Sequence, residues 1–446
     1  MKAKYTEGSI FNHICVMTFA SAAGLMSLFM VDLVDMYWLS LLGEVALPAA
    51  IGYAGSILFF TLSMSIGLAI GCSAVVSQAI GLGDKKRVQQ LVGHVFLAIV
   101  LFTIPVVFLA LWQADNLLVW LGATGKAHDF ALSYIGLVLP SLPLMGIAMS
   151  ASAIMRALGN AKESMYITLI GGFVNAVLDP IFIFTLNMGI EGAAIATVLC
   201  RITMLLYGFW LVNKRYELFA FPQILMLKKD VTYFAQTAIP AVLTNLATPV
   251  GLAFITATMA QFGDEAVAGN AIVSKLQPLA FVGLFALSGV VGPIAGQNFG
   301  AKQYERIHQT LVSSVLFVIL YCCVASGLLW LFMDVIINVF GAKGEAAYII
   351  KLFCCGFSCI FAFNGITFVT NAIFNNLRIA HWATGFNFAR ATVFTMPFVY
   401  FGAQYGGLFG VLMGMLLGSA AIAVLGFWAA YRKIQQLSTK HINTGV

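Results

Sequence analysis

Apolar residues in this chain come in runs of about 20 or more, parted by short polar breaks. Neither the period-2 alternation of a half-buried strand nor the one-sided stripe of a surface helix describes them. A run of that length crosses the ~30 Å hydrocarbon layer of a membrane as a helix. Inside hydrocarbon a helix also satisfies its own backbone hydrogen bonds. The pattern predicts about twelve such helices, near 14–41, 50–79, 91–113, 129–157, 165–187, 190–213, 233–262, 268–297, 309–332, 347–376, 382–404 and 407–431. The ~10-residue alternating segments of a membrane barrel do not occur. The first run is too long for a cleaved signal and contains Asp32 and Asp35, so it is expected to remain as helix one.

Composition agrees. The 446 residues are 61% hydrophobic and 9% charged, against roughly 25% charged in soluble domains. The net charge of +6 does not call for a nucleic-acid partner, because the charges are sorted by side. Lys85, Lys86, Arg87, Lys162, Lys214, Arg215, Lys228, Lys229, Lys302, Arg306, Arg378, Arg432 and Lys433 fall on one side of a twelve-span plan, and Lys126, Lys343 and Lys351 on the other. This is the positive-inside asymmetry, and it predicts cytoplasmic termini. The eight cysteines all sit in apolar runs and are expected to pack as small buried hydrophobes. His94 and His308 flank basic loops and are expected at the membrane interface.

The two halves repeat. Gln78, Gly81 and Arg87 match Gln297, Gly300 and Arg306; Gly43 matches Gly263, Pro180 matches Pro397, and Gly192 matches Gly410, all at an offset near 219. Several matches in order at one offset indicate an internal duplication. Six spans per copy make it a parallel repeat, with a pseudo-two-fold axis along the membrane normal. The expected domains are a six-helix lobe at 1–215, a cytoplasmic loop at 216–232 and a second six-helix lobe at 233–446.

The stretch Asp35-Met-Tyr-Trp-Leu-Ser-Leu-Leu-Gly43 with Glu44-Val-Ala-Leu resembles the first-helix signature of the multidrug and toxic compound extrusion (MATE) transporters. Ser77-Gln78 and Gly296-Gln297, Arg156-Ala-Leu-Gly-Asn-Ala-Lys162, and Asn175-Ala-Val-Leu-Asp179-Pro180 followed by Gly189-Ile-Glu-Gly192 are similar to further motifs of that family. The resemblance covers essentially the whole chain and is nearest to the DinF-like bacterial branch. The helix-seven acid of other branches is missing: Ile255 stands at the repeat position of Asp35. The resemblance implies an all-α integral membrane protein with two pseudo-symmetric six-helix bundles in the MATE fold. It also implies a bacterial cytoplasmic (inner) membrane location and export of drugs or toxic metabolites against H⁺ or Na⁺. A monomer among membrane lipids is expected, without cofactor, metal centre or enzymatic activity.

An ionisable side chain at mid-bilayer is costly and is a functional candidate by default. The candidates here are Asp32, Asp35, Asp179, Arg201, Lys275 and Arg390. Asp35 lies eight residues before Gly43, about 12 Å below the external end; Asp179 and Arg201 each lie about 15 Å down. Asn175 shares a helix face with Asp179, as Thr197 does with Arg201. Pro180 removes a backbone donor within helix five. Asp35, Asp179, Asn175, Asp32, Thr197 and Arg201 are therefore the expected coupling site for a proton. Asp35, Asn175, Asp179 and Thr197 could instead ligate Na⁺ through oxygen. Asp179 and Arg201 could equally be a static ion pair. Arg390 could snorkel to the cytoplasmic face. Lys275, Phe361, Asn371 and Asn375 are the expected substrate-cavity residues of the second lobe. No phosphate-binding loop, dinucleotide turn or metal-ligand spacing occurs, so an ion gradient is the expected energy source. The rival readings are a lipid-linked oligosaccharide or lipid flippase of the same superfamily and a non-transporting membrane enzyme or receptor.

Overall fold

The structure, a computed structural model, describes the backbone of residues 3–40 and 46–444, with side chains for all of these except 31–37, 39–40, 46, 48–49, 249–250, 264 and 440–444. Eleven helical stretches among them are long and apolar enough to cross a membrane. Ten can be placed directly: α1 (Ile10–Ser40), α2 (Ala46–Gly81), α3 (Lys85–Trp120), α4 (Gly125–Ala157), α5 (Ala161–Thr185), α6 (Gly189–Arg215), α7 (Ile224–Ala260), α8 (264–300), α9 (Tyr304–Leu331) and α10 (344–376). The eleventh stretch, Ala380–Thr439, is 60 residues long and holds two helices. Gly407 interrupts it at φ 56°, ψ −142°, a conformation strained for any residue with a Cβ. We name its arms α11 (380–406) and α12 (407–444). They run back along each other: a Cβ on Gly410 would meet the Gly402 carbonyl oxygen at 2.0 Å, and one on Gly414 the Phe398 oxygen at 2.3 Å. The twelve-span, all-α plan is therefore present, and no strand occurs among the described residues.

The repeated glycines and prolines have repeated causes. A Cβ on Gly192 would come within 2.7 Å of the Phe182 carbonyl carbon, so α6 packs back on α5 as α12 packs on α11. Pro180 is followed by a π-helical segment, Ile181–Thr185, and Pro397 is preceded by another, Arg390–Thr395. Proline cannot donate to the α-helical ladder, and a wider turn beside it re-routes the bonding. Such π segments are frequent at functional sites.

Packing sorts the chain into two compact units. Unit 1 holds Ala23–Val242; unit 2 holds Ala3–Ala22 and Leu243–Val446. The division falls inside α1 and α7. Of the expected 216–232 loop, 224–232 are the first turns of α7. In unit 1, α2 and α7 approach closely, because a Cβ on Gly71 would sit 2.6 Å from the Ala238 Cβ. The core near the start of α2 joins Ala50, Ala54 and Ile57 to Leu118 of α3, Ile135 and Leu139 of α4 and Ile190 of α6. Large apolar side chains such as Phe108, Trp112, Val324, Leu328 and Val424 point outward, well exposed, as a lipid-facing surface requires.

The repeated Gln and Arg anchor the segment that enters each unit. In unit 2, Gln297 Oε1 accepts from the Tyr5 backbone N–H at 2.9 Å, and Arg306 donates to the Tyr5 and Gly8 carbonyls at 2.9 and 3.0 Å. In unit 1, Tyr233 of α7 donates to Gln78 and Arg87 meets Asp230. Asp84 caps α3 by accepting from the Arg87 N–H at 3.0 Å. His94, expected at the interface, is instead 1% exposed. Its Nδ1 lies 2.7 Å from Asp230, and its Nε2 accepts from the Gln223 N–H at 2.9 Å. The cysteines are also more varied than expected: Cys72, Cys200, Cys322 and Cys354 are buried, Cys15 is half-buried, and Cys323, Cys355 and Cys359 are exposed.

Candidate functional site

Unit 1 carries a buried polar group on α5, α6 and α4. Asn175 and Asp179 lie one turn apart on α5, 2% and 0% exposed. Asn175 Nδ2 donates to Asp179 Oδ1 at 3.1 Å. A carboxylate buried this deep retains its charge only at a large cost unless partners hold it. Directly after it come Pro180 and the π segment, which aim the next turn differently from a straight helix. Phe184 of that segment packs edge-on to Trp38 of α1 at 5.9 Å.

That contact also places α1. Gly24 of α1 lies against Thr168 of α5, where a Cβ would meet the hydroxyl at 2.4 Å. The two helices run side by side in the same direction from that contact to Trp38 and Phe184. Asp35 and Asp179 each follow the Gly24–Thr168 contact by the same number of residues, so their backbones lie at one level. The side chains of Asp32 and Asp35 fall outside the described residues.

Thr197 and Arg201 extend the group on α6, both half-buried. The Thr197 hydroxyl donates to Ala193 O at 3.0 Å, which leaves its lone pairs to accept from elsewhere. Arg201 Nη1 donates to Val138 O at 3.2 Å and to Ser141 Oγ at 2.9 Å. The reason lies in α4. Pro140 lies within a 3₁₀ turn, Leu139–Ser141, and Pro143 follows it; the Leu142 N–H turns to Leu139 O. The Val138 carbonyl then lacks its usual helical donor, and Arg201 and Ser141 serve it. Sequence reasoning missed Ser141. The signal was the Pro140-Ser-Leu-Pro143 run, which promises an interrupted helix and an orphan carbonyl.

The four expected cavity residues belong to unit 2. Lys275 is exposed on the first part of α8. Asn371 and Asn375 of α10 are buried, and their Oδ1 atoms accept no hydrogen bond among the described residues. Phe361 does not line open space: it is 6% exposed and stacks flat on Phe281, with centroids 4.2 Å apart and planes at 6°. At the repeat position of Asp35, Ile255 is buried.

A family model described as MatE matches the chain twice, at residues 20–181 and 240–401. The chain belongs to the MatE family. The double match is the duplication seen in the spacing of Gln78 and Gln297. MatE relatives include the FAD transporter of Shewanella oneidensis, 24% identical, with 93% of each chain covered. Another is the probable multidrug resistance protein YpnP of Bacillus subtilis, 24% identical over 84% of each. Among solved structures, the Vibrio cholerae MATE transporter VcmN in its bent form superposes with a TM-score of 0.90 at 26% identity, covering 97% of this chain and 98% of that one. The chain is thus a multi-pass membrane transporter of the MatE family and not an enzyme.

Proposed function

We propose that the protein is a secondary efflux antiporter that exports amphipathic organic compounds, often cations, in exchange for H⁺ by alternating access. The observation that carries this is the buried Asn175–Asp179 pair at the level of Asp35, built into one copy of the duplication only. A carboxylate changes its charge by taking up one proton. Its charge can therefore differ between outward- and inward-facing states, and a coupling ion drives a conformational change only through such a difference. Protonation in the outward-facing state would release the drug, and re-exposure to the cytoplasm would release the proton. Na⁺ on Asp35, Asn175, Asp179 and Thr197 is the alternative, and the Arg201 charge nearby on α6 disfavours it. The charge asymmetry supports both termini being cytoplasmic and the cytoplasmic membrane as the location.

Efflux of a fluorescent organic cation from proteoliposomes, with a pH gradient and a Na⁺ gradient imposed separately, tests this. Export driven by the pH gradient alone is expected. Export that follows only the Na⁺ gradient would replace the proton, and export under neither would end the antiport reading.

A second reading, an anionic organic cargo of the kind the Shewanella relative is named for, is favoured by the intramembrane cations Lys275 and Arg390 of unit 2.

A further inference from the structure

The membrane interior of unit 2 contains no carboxylate. Its acidic residues are Glu7, Asp264, Glu265, Glu305, Asp334 and Glu345, all at helix starts or in connections, and none follows Glu345 to the end of the chain. Yet Arg390 sits deep within α11, half-buried, at the first residue of the π segment Arg390–Thr395. A guanidinium carries five N–H donors and is always charged. Among the described residues Arg390 makes one hydrogen bond, from Nη1 to Asn364 Oδ1 at 3.1 Å.

Snorkelling does not account for it. Asn364 lies twelve residues before Asn376, the last residue of α10, about 18 Å into the helix at 1.5 Å per residue. The guanidinium is held at that depth and not drawn to the basic face. Neutral amides compensate a buried cation only in part; a full partner is an anion. Among the described residues no anion stands beside Arg390, which leaves its remaining N–H donors open to an anionic ligand.

The surroundings say what kind. Asn364 Nδ2 has no acceptor among the described residues, so an oxyanion on Arg390 could also receive this N–H. One turn further on the same face of α10 is Phe368, half-buried beside Phe285 at 5.5 Å. About one turn before Asn364, Phe361 is packed flat on Phe281 and is closed to a ligand. A cation on α11 thus meets an amide on α10, and a half-buried aromatic pair follows one turn further along α10.

We propose that Arg390 and Asn364 form an anion subsite, which takes the carboxylate or phosphate group of a planar aromatic substrate whose ring rests against Phe368 and Phe285. This rests on the transport reading and names a substrate class for it.

The test is equilibrium binding to the purified protein in detergent, with probes paired by charge. Flavin mononucleotide is compared with riboflavin, and 9-anthroate with 9-anthracenemethanol. The first pair reads phosphate and the second carboxylate. In at least one pair the anion should bind about tenfold or more tightly than its neutral partner, the size of a charge-assisted contact. Arg390→Gln should bring that ratio near one, and Arg390→Lys should keep part of it. Asn364→Asp supplies the missing carboxylate internally, so it should also abolish the ratio while relieving the buried charge. Retained binding of the neutral probe shows that a variant is folded. A wild-type ratio near one in both pairs would overturn the proposal, and so would a wild-type ratio that survives in Arg390→Gln or Asn364→Asp. No gradient is applied, so failure of ion coupling would sink the antiport reading and leave this measurement untouched.

Discussion

The Arg87 guanidinium grips both oxygens of the Asp230 carboxylate, Nη1 on Oδ2 at 2.8 Å and Nη2 on Oδ1 at 2.5 Å, and His94 Nδ1 lies 2.7 Å from the same Oδ2. Asp230 is 1% exposed, so the pair fastens the first turns of α7 to α3. Arg306, its repeat counterpart, does the same for the chain start with backbone carbonyls in place of a carboxylate. One duplicated residue thus meets the same demand with two different acceptors.

Asp230→Asn should therefore cost more than its size suggests. Removing one member of a buried pair leaves the other uncompensated, at roughly 3 kcal/mol, somewhat less here because Arg87 keeps partial access to water. A fall in melting temperature and yield is expected. Arg87→Met combined with Asp230→Asn should lose less than the two single changes summed. Strict additivity would show that the pair is not energetically coupled.

Arg201→Ala should impair transport and lower thermal stability, because it strips a donor from the Val138 carbonyl in the α4 break. Ser141→Ala should do the same more weakly, by about 1 kcal/mol. If Arg201 also compensates Asp179, neutralising both should restore part of the yield lost by the single change. A double-mutant cycle in melting temperature decides it, and simple additivity argues against pairing.

Orientation can be read chemically. In a background lacking the native cysteines, a Cys at position 126 or 343 should react with impermeant thiol reagents added outside intact cells. A Cys at 86 or 302 should not. Labelling at 86 from outside would invert the topology taken from the charge asymmetry.

Asp35→Asn imitates a permanently protonated carboxyl. It should fold, keep drug binding and lose gradient-driven export, whereas Asp35→Glu should keep part of it. The readout is efflux of a fluorescent cation under an imposed pH gradient, with protein levels matched. Wild-type export by Asp35→Asn that still responds to the gradient would move the proton site elsewhere.

Much of this architecture is legible from apolar run length, because the bilayer fixes how long a spanning helix must be. Pro180, which cannot donate within helix five, marked that helix as irregular, whereas Gly192 and Gly410 showed only the repeat and not what each touches. The Asn175–Asp179 contact was readable because four residues make one helical turn. Arg201 on Val138 and His94 on Asp230 were not. Each joins residues far apart in the chain, and helical periodicity carries no information across that distance. The stacking of Phe361 on Phe281 was out of reach for the same reason, since the two rings lie on different helices.

The division inside α1 and α7 bears on where the chain can be cut. Each compact unit takes the opening stretch of its first helix from the other copy: residues 3–22 complete unit 2, and residues 224–242 complete unit 1. A chain severed before α7 would leave both fragments short of a segment that they cannot make themselves.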